Sequence, residues 1–323
     1  MKLKPKNWDR NGYKFLLAKI CMFILFLFAA DFLAGAILST LYKKQTSGWD
    51  YRTKYSIEDT KADILIFGAS RAQQQYNPVY FENRLHQSCY NVGRDGQPLF
   101  YSYSVFRSVL ERYNPKMIIF DFEKRLFVKS ESSYDRISLL LPFYKNHPEM
   151  HSVLELRSPF EKLKLLSKTY PYNSLLFKLI LGNIEGNKKD EDILGYVPLK
   201  RSLNEPLRTV DLSERYPIDT TKVNLFRILI EDCKKRNIKL YIVCPPYYFN
   251  SVGSDTSLVM GKEIAIKNNL TFFDFAKDSF FLKNPQLFDD TVHVNFTGSK
   301  LFTNRLIDSI ILSRQYQQPP YIK

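Results

Sequence analysis

The chain has 323 residues, of which 45% are hydrophobic, and it carries a formal net charge of +14 at pH 7. This length allows one large domain or two small ones, and the composition is ordinary for a globular protein with a sizeable core. The basic residues are scattered and form no zinc-finger or RNA-binding signature, so we predict no nucleic-acid partner. The charge favours an anionic surface, such as lipid headgroups or an acidic glycan, although an ordinary basic surface explains it as well.

The four cysteines argue against two further classes of protein. Cys21 lies in an apolar N-terminal segment, which leaves an odd number, Cys89, Cys233 and Cys244, and therefore no complete disulfide framework. No Cys-x-x-Cys pair occurs, so a thiolate metal site is not expected. Cys89 and Cys244 fall in apolar, strand-like runs and are interpreted as buried, inert thiols. We predict no metal and no organic cofactor.

Residues 20–42 form an apolar segment, ICMFILFLFAADFLAGAILSTLY. As a helix rising 1.5 Å per residue it reaches about 35 Å, enough to cross the hydrocarbon core of a bilayer. Asp31 is the only charged residue within it. The preceding tail, residues 1–19, is basic, which favours a cytoplasmic N-terminus, although Lys43 and Lys44 follow the span. We therefore predict a single-pass anchor with the rest of the chain on the far side of the membrane.

A cleaved signal peptide is the alternative for this segment. Ala34-Gly35-Ala36 resembles a small-residue cleavage site. The apolar stretch continues past that site to Tyr42, which favours an uncleaved anchor. Both alternatives place the remainder of the chain outside the cytoplasm.

After a polar linker at residues 43–61, strand and helix patterns alternate through residues 62–314. Strands are predicted at 62–70, 88–93, 115–122, 239–246 and 271–275, and helices at 78–86, 97–113, 221–236, 257–268 and 297–314. The alternation stops at about 127–215, which we interpret as an insertion or cap, and residues 315–323 form a C-terminal tail. Apolar strands that alternate with amphipathic helices predict an α/β three-layer sandwich with a mostly parallel five-stranded sheet, as in flavodoxin-like folds.

Reactive side chains fall at the carboxyl ends of the predicted strands, where ligands bind in open α/β sheets. Ser70 ends the first strand, and Gly93 ends the second. Asp290 and His293 lie in the loop before the last helix, with the spacing Asp-x-x-His. A serine hydroxyl needs an adjacent base to become a nucleophile, and a histidine oriented by a carboxylate supplies one. These positions predict a Ser-His-Asp catalytic triad.

Each of these residues also has a non-catalytic interpretation. Ser70 alone is typical of a helix N-cap, and Gly93 alone is typical of a turn. Asp289 stands beside Asp290, so either carboxylate fits the triad by position. The other histidines have no acid at the same offset and are interpreted as structural: His86, His147 and His151.

Further polar and aromatic residues fall near the same edge of the sheet. Asp121 and Glu123 end the third strand, where they either contact substrate or pair with Lys124 or Arg125. The aromatic run Tyr247-Tyr248-Phe249 follows the fourth strand, where it either lines a sugar site or packs in the core.

Three short blocks, taken in order, resemble motifs of the SGNH/GDSL hydrolase superfamily. Phe67-Gly68-Ala69-Ser70-Arg71 is similar to its first block, Tyr90-Asn91-Val92-Gly93 to its second, and Asp290-Thr291-Val292-His293 to its fifth. The order and strand placement match across residues 62–314, about three quarters of the chain. The resemblance implies that Ser70 is the nucleophile, His293 the base and Asp290 its acidic partner. It also implies an oxyanion hole formed by the backbone amides of Ser70 and Gly93.

The chain also looks like membrane-anchored bacterial members of this superfamily, some of which modify cell-surface polysaccharides with acyl groups. The resemblance implies an extracytoplasmic serine esterase, deacylase or O-acyltransferase that acts on an acylated carbohydrate. It further implies a location in the bacterial inner membrane, with the domain in the periplasm. Water as the acceptor gives an esterase and a sugar hydroxyl gives a transferase, and the sequence does not separate the two.

One block departs from the superfamily's pattern. The third block, Gly-x-Asn-Asp, supplies an asparagine donor to the oxyanion, whereas this chain has Phe120-Asp121-Phe122-Glu123. Loss of one oxyanion donor costs roughly 10²–10³ in turnover. The candidate replacements are Arg71, Arg94 and Gln97. The departure motivates an alternative function, a catalytically inactive SGNH-like module that binds glycan or assists assembly at the membrane.

Overall fold

The computed structural model describes residues 10–97, 99–176, 179 and 192–317. The first nine residues of the basic tail, part of the insertion predicted at about 127–215 and the last six residues of the C-terminal tail lie outside the described residues. Apart from residue 98, both stretches in which the sequence predicts alternating strands and helices are described.

Within the described residues, seven strands form two sheets. In chain order they are β1 (Ile64–Phe67), β2 (Cys89–Asn91), β3 (Met117–Asp121), β4 (Arg208–Asp211), β5 (Lys239–Cys244), β6 (Phe249–Val252) and β7 (Thr271–Asp274). The central sheet has the order β2-β1-β3-β5-β7, and all its neighbouring strands are parallel. Strands β4 and β6 form a separate parallel pair. The five predicted strands are those of the central sheet, whereas β4 and β6 were not predicted.

Helices connect the strands and cover both faces of the central sheet. In chain order they are α1 (Arg10–Lys43), α2 (Gly48–Lys54), α3 (Ser70–Gln75), α4 (Pro78–Leu85), α5 (Leu99–Arg112), α6 (Glu131–Asp135), α7 (His151–Leu154), α8 (Glu161–Lys164), α9 (Thr220–Lys235), α10 (Thr256–Lys267), α11 (Ser279–Leu282) and α12 (Phe296–Gln317). Short 3₁₀ turns occur at Arg136–Phe143, Pro148–Met150, Glu155–Arg157, Tyr170–Tyr172 and Pro285–Leu287. Each of the five helices predicted beside the sheet is present within three residues of its predicted ends.

Alternation along β1 explains why the sheet is buried on both faces. Leu65 and Phe67 belong to a hydrophobic cluster with α5 and α9, whereas Ile64 and Ile66 belong to another with α4 and α12. Successive side chains of a strand point to opposite faces, so an unbroken apolar run is needed where both faces are covered. This arrangement confirms the predicted three-layer α/β architecture.

Parallel pairing brings the ends of β1 and β3 to one edge of the sheet. Phe67 pairs in register with Phe120, so the residues after both strands emerge side by side. Gly68 has φ of +151°, and a Cβ there would lie 2.6 Å from the Asp121 Cβ and 2.8 Å from the Ala72 Cβ. Glycine is therefore required for β1 to turn into α3 this close to the end of β3.

Residues 43–61 are folded, so the prediction of a polar linker is wrong for most of this stretch. It contains α2 and a π-helical turn at Tyr55–Asp59, and Ile57 is fully buried in the core. Asp50 is also buried and accepts a 2.8 Å hydrogen bond from Arg94. Because Arg94, which is distant in sequence, pairs with Asp50, this polar residue can be buried. The polar composition of residues 43–61 therefore did not indicate an exposed linker.

The N-terminal helix α1 is apolar over most of its length. Within the described residues, Gly12–Lys43 is the one helix long and apolar enough to cross a membrane, with a mean hydropathy of 2.4 in its most apolar window. The predicted span, residues 20–42, lies inside this helix. The structure is thus consistent with a single membrane-associated helix ahead of the α/β domain.

Candidate active site

Ser70 stands at the turn between β1 and α3. It is the first residue of α3, directly after the Gly68-Ala69 bend, and its side chain is partly exposed. A nucleophile in this position is presented above the carboxyl end of the sheet, where a ligand can reach it. Local structure alone does not distinguish a nucleophile from an ordinary residue at a helix start.

The contacts of His293 with Ser70 and Asp290 bear on this choice. His293 Nε2 lies 2.8 Å from Ser70 Oγ, and His293 Nδ1 lies 2.8 Å from Asp290 Oδ2. The structure therefore brings together the three residues predicted to form a triad, although Ser70 is more than 200 positions from the other two. Both contacts lie within the range expected for a hydroxyl, its base and the carboxylate that orients the base.

The hydrogen bonds assign roles to the two ring nitrogens of His293. An ionised carboxylate only accepts hydrogen bonds, so Nδ1 donates to Asp290 and Nε2 of the neutral ring accepts from the Ser70 hydroxyl. Burial raises the pKa of Asp290, but hydrogen bonds from the His293 ring and the Val292 and His293 amides outweigh it and lower the pKa below its ordinary value. Asp290 is therefore ionised at neutral pH, as this arrangement requires.

The loop that carries His293 is held in place by its own backbone and by α3. The Val292 and His293 amides donate to Asp290 Oδ1 at 2.7 and 2.8 Å, and Gln75 Nε2 donates to Val292 O at 2.8 Å. Gln75 thus ties the helix of the nucleophile to the loop of the base. Gln75 carries no signal of its own in a run of three glutamines, of which Gln73 is buried as well.

Asp289 has a different partner from Asp290. Its buried carboxylate accepts hydrogen bonds from the Arg201 amide at 2.9 Å, and from Arg201 Nε and Nη2 at 3.1 and 2.8 Å. Position along the chain left both aspartates open as the partner of His293. The contacts place Asp290 there and give Asp289 the function of anchoring the segment around Arg201.

The backbone amides of Ser70 and Gly93, the two predicted oxyanion donors, differ in whether they already donate a hydrogen bond. Within the described residues, the Ser70 amide donates no hydrogen bond, as is usual for the first residue of a helix. The Gly93 amide instead donates to Asn91 Oδ1 at 3.0 Å. Asn91 Nδ2 in turn donates to the carbonyls of Ala72 and Tyr76, at 2.7 and 2.9 Å. Gly93 therefore helps to fix α3, and its amide is not free for an oxyanion.

Two of the three candidate replacement donors are not directed at Ser70. The buried Arg94 guanidinium donates to Asp50 Oδ1 at 2.8 Å, to Trp49 O at 3.3 Å and to the Thr53 hydroxyl. Through these contacts the Arg94 guanidinium holds the α2 region against the domain. Gln97 follows at the next turn, where its amide donates to Arg94 O, and in the described part of the chain its side chain makes no hydrogen bond to the triad.

Arg71, the third candidate, is held beside the ends of β3 and β5. Its side chain is only 3% exposed, Nη2 donates to Pro245 O at 3.1 Å, and the guanidinium stacks 4.0 Å from the Tyr247 ring centroid. Nε and Nη1 are buried without a hydrogen-bond partner among the described residues. Burial lowers the pKa of Arg71, but Asp121 together with Cys244, Tyr76 and Glu123 outweighs it and raises the pKa, so the guanidinium stays charged.

The acids at the end of β3 are not paired with Lys124 or Arg125, which corrects that interpretation. Asp121 accepts a 2.8 Å hydrogen bond from the Tyr76 hydroxyl, while its second oxygen is buried and unpartnered within the described residues. Burial raises the pKa of Asp121, and Arg71 and Tyr76 oppose the increase.

Glu123 and Lys124 have strongly displaced pKa values. Burial and the neighbouring Asp121 raise the pKa of Glu123 to about 7, although Arg71 and His293 oppose the increase. Burial lowers the pKa of Lys124 to about 8. Perturbed groups that cluster at the end of a sheet are typical of functional sites, and both groups change charge close to neutral pH.

The aromatic run after β5 is buried. Tyr247, Tyr248 and Phe249 are each less than 10% exposed, and Tyr247 packs against both Arg71 and Lys124. Of the two alternatives open from the sequence, packing accounts for these rings. Tyr247 also positions charged side chains next to the triad, a role that the sequence pattern did not indicate.

The other histidines make structural contacts. His86 ends α4 in a left-handed conformation, with φ of 53°. His147 lies between Glu58 and Glu149, and His151 stacks on Tyr144 with ring centroids 3.9 Å apart. Across the described residues, no group of three or more His, Cys, Asp or Glu side chains is arranged to hold a metal ion.

No family model and no curated protein matches this chain. The function therefore has to be inferred from the site itself. Its best-defined feature is the contact from Ser70 through His293 to Asp290.

Proposed function

We propose that the chain is a serine esterase, deacylase or O-acyltransferase in which Ser70, His293 and Asp290 form the catalytic triad. The observation that carries the proposal is the 2.8 Å contact between Ser70 Oγ and His293 Nε2, with Asp290 on the opposite ring nitrogen at 2.8 Å. A lone serine at a helix start has many explanations. A serine hydrogen-bonded to a histidine that is itself oriented by an ionised carboxylate has the parts needed for acyl transfer.

The reaction has two steps. Ser70 Oγ attacks the ester carbonyl carbon as its proton passes to His293 Nε2, and the resulting imidazolium then protonates the departing alcohol. This leaves an acyl group on Ser70. Water or a sugar hydroxyl then attacks the acyl carbonyl and gives its proton to His293, which returns that proton to Ser70. Water yields a free acid, and a sugar hydroxyl yields a new ester.

The negative charge that develops on the carbonyl oxygen needs donors. The Ser70 amide supplies one, and we infer that Arg71 supplies a second, because it directly follows Ser70 and has two N–H-bearing nitrogens, Nε and Nη1, without a hydrogen-bond partner among the described residues. Stacking on Tyr247 and the hydrogen bond to Pro245 O fix the guanidinium in advance, which is the condition for effective electrostatic stabilisation. Arg71 would then replace the asparagine of the superfamily's third block.

The substrate class and location follow from the resemblance to membrane-anchored SGNH proteins and from the candidate membrane helix. We infer an acylated cell-surface carbohydrate as substrate, and a periplasmic domain anchored to the bacterial inner membrane. The net charge of +14 suits an acidic glycan or the anionic membrane surface.

Turnover of acetyl esters by the full-length protein in detergent tests the proposal. We expect release of acetate from a chromogenic acetyl ester, and from acetylated oligosaccharides when water is the acceptor. Ser70→Ala should abolish turnover, whereas Ser254→Ala, which changes an exposed loop serine, should leave it unchanged. An added sugar acceptor that becomes acetylated at the expense of acetate release would identify a transferase.

A catalytically inactive glycan-binding module is the second candidate. Two observations favour it: the Gly93 amide is engaged by Asn91, and acids stand where the third block has its asparagine. If this candidate is right, the protein binds acetylated oligosaccharide without turnover. Binding would then be equal in the native protein and in Ser70→Ala.

A further inference from the structure

The exposure of α1 divides the helix into two parts. Every residue from 12 to 30 is exposed. From residue 31 onward the helix is covered on one side only: Asp31 is partly covered and Gly35 and Tyr42 are buried against the domain, while Phe32, Leu33 and Ile37 remain exposed. The uncovered part has 19 residues. At 1.5 Å per residue it is about 28 Å long, close to the roughly 30 Å hydrocarbon core of a bilayer.

Asp31 stands at the junction of the two parts and is fully engaged by a loop of the domain. Its carboxylate accepts hydrogen bonds from Ser167 Oγ and the Lys168 amide, both at 2.6 Å, and from the Thr169 hydroxyl and amide, at 2.6 and 3.2 Å. A loop that reaches the helix here needs water or headgroups around its other backbone groups, because lipid hydrocarbon cannot satisfy them. The bilayer boundary is therefore expected close to Asp31 rather than near Tyr42.

The position of Lys19 agrees with a bilayer boundary close to Asp31. Its ammonium lies 4.4 Å from the centroid of the Phe15 ring, one turn towards the N-terminus. A lysine inside a span extends its charged end towards the nearer interface, which in this case is the N-terminal one.

The segment just before the Asp31-binding loop has an exposed apolar face. Phe160, Leu163 and Leu166 are 64%, 65% and 68% exposed, and they recur at intervals of three residues around α8. Large apolar side chains clustered in this way usually mark a contact with protein or membrane. Since Ser167–Thr169 binds Asp31, the cluster lies next to the lipid-exposed part of α1.

The charge of this segment is also suited to a membrane surface. Leu156–Lys168 contains one acid, Glu161, and four basic residues: Arg157, Lys162, Lys164 and Lys168. Glu161 is buried and paired with Arg157 and Lys164. Lys162 is exposed and pairs with Glu155 just outside the segment, whereas the exposed Lys168 can approach anionic headgroups.

We propose that Leu156–Lys168 is a second membrane contact, in which Phe160, Leu163 and Leu166 enter the outer part of a bilayer whose boundary lies beside Asp31. The occupant of this apolar face is a lipid surface with anionic headgroups, continuous with the lipid around α1. The membrane-embedded part of α1 is then residues 12–30, and residues 31–43 belong to the extracytoplasmic domain. This proposal does not depend on the serine chemistry.

Cys21 provides an internal test of the boundary. It is exposed and lies at the middle of residues 12–30, whereas the other three cysteines are buried. In full-length protein reconstituted in phosphatidylethanolamine–phosphatidylglycerol vesicles, a fluorophore on Cys21 should be quenched most by lipids carrying the quencher near the chain ends. Strongest quenching by a headgroup-level quencher would place Cys21 at an interface, as a span of residues 20–42 requires, and would overturn the proposal.

Leu163→Cys and Ile266→Cys, each in a Cys21→Ser background, test the second contact. Ile266 is a matched control because it is a 73% exposed aliphatic residue on α10, outside the proposed contact. A label at position 163 should lose about half of its fluorescence or more to a shallow lipid-borne quencher, while a label at 266 should be almost unaffected. Equal, weak quenching at both positions would show that the segment remains in water and would reject the contact.

Discussion

The neighbouring carboxylates of Asp289 and Asp290 have separate partners and therefore separate expected effects on catalysis. Asp290→Asn removes the acceptor that fixes His293, and it should lower kcat by about 10³–10⁴ with little loss of folded protein. Asp289→Asn should leave kcat within about tenfold of the native value, because its partner is Arg201. Steady-state turnover of an acetyl ester by both variants makes the comparison. Similar losses of kcat in the two variants would contradict this assignment.

Glu123 should make stability depend on pH. Its pKa is about 7 in the folded protein, against an ordinary 4.5, so the folded state binds the proton more tightly than the unfolded chain does. The free energy of unfolding contributed by this group therefore falls as pH rises from about 4.5 through 7. Glu123→Gln removes that dependence, and we expect it to raise the free energy of unfolding by about 1–2 kcal/mol at pH 8 after allowance for partial exposure.

Denaturant unfolding of both proteins in detergent at pH 4 and pH 8 checks this prediction. At pH 4 the carboxyl is protonated in the folded protein and mostly protonated in the unfolded chain, so the native protein and Glu123→Gln should unfold at nearly the same denaturant concentration. A variant that is destabilised equally at both pH values would show that Glu123 contributes through packing and not through its ionisation.

At the scale of single residues, the sequence was sufficient to predict that Ser70, His293 and Asp290 lie together, but not to predict the contacts of the residues around them. Ser70, Asp290 and His293 were predicted because the strand pattern and the Asp-x-x-His spacing place them at one edge of a parallel sheet. The engagement of the Gly93 amide by Asn91 was not predictable, because it depends on a side-chain rotamer. The pairing of Arg94 with Asp50 also depends on side-chain rotamers, so the sequence did not indicate it.

Among the elements, α2 is joined to the domain by a buried ion pair. Asp50 and Arg94 have side chains that are each 6% exposed. Asp50→Ala leaves the buried guanidinium without its charged partner, and we expect it to lower the free energy of unfolding by about 3 kcal/mol. Asp308→Ala is the matched control, since it breaks the exposed pair between Arg84 and Asp308, which should contribute about 0–1 kcal/mol.

Denaturant unfolding in detergent measures both changes. Equal, small effects of Asp50→Ala and Asp308→Ala would mean that α2 is only loosely attached. A large effect confined to Asp50→Ala would show that the segment after α1 is part of the folded domain.

Residues 43–61, which contain α2, show where the prediction of helices and strands from the sequence fails. The central strands were predictable because an unbroken apolar run has few alternatives to a strand buried on both faces. Residues 43–61 were interpreted as a linker because their polar residues have no local partner. The pairing of β4 with β6 was likewise missed, because β4 is exposed along its whole length and carries no burial pattern.

For the whole molecule, the basic N-terminal tail and the apolar α1 predict a single-pass topology with the α/β domain outside the cytoplasm. Protease added to intact spheroplasts should therefore digest the domain, while a tag at the N-terminus should remain protected until the membrane is lysed. Protection of the domain together with digestion of the tag would reverse the topology and would also exclude a periplasmic glycan substrate.

Covalent labelling is the most direct test of whether Ser70 is an activated nucleophile. A fluorophosphonate should react with the full-length protein by displacing fluoride, and mass spectrometry should locate the added phosphonyl group on Ser70. Ser70→Ala should not be labelled, and His293→Ala should be labelled at least about a hundredfold more slowly, because the base is lost. Ser254→Ala should be labelled like the native protein. Failure of the native protein to react, or equal labelling of Ser70→Ala, would contradict the proposed catalytic role.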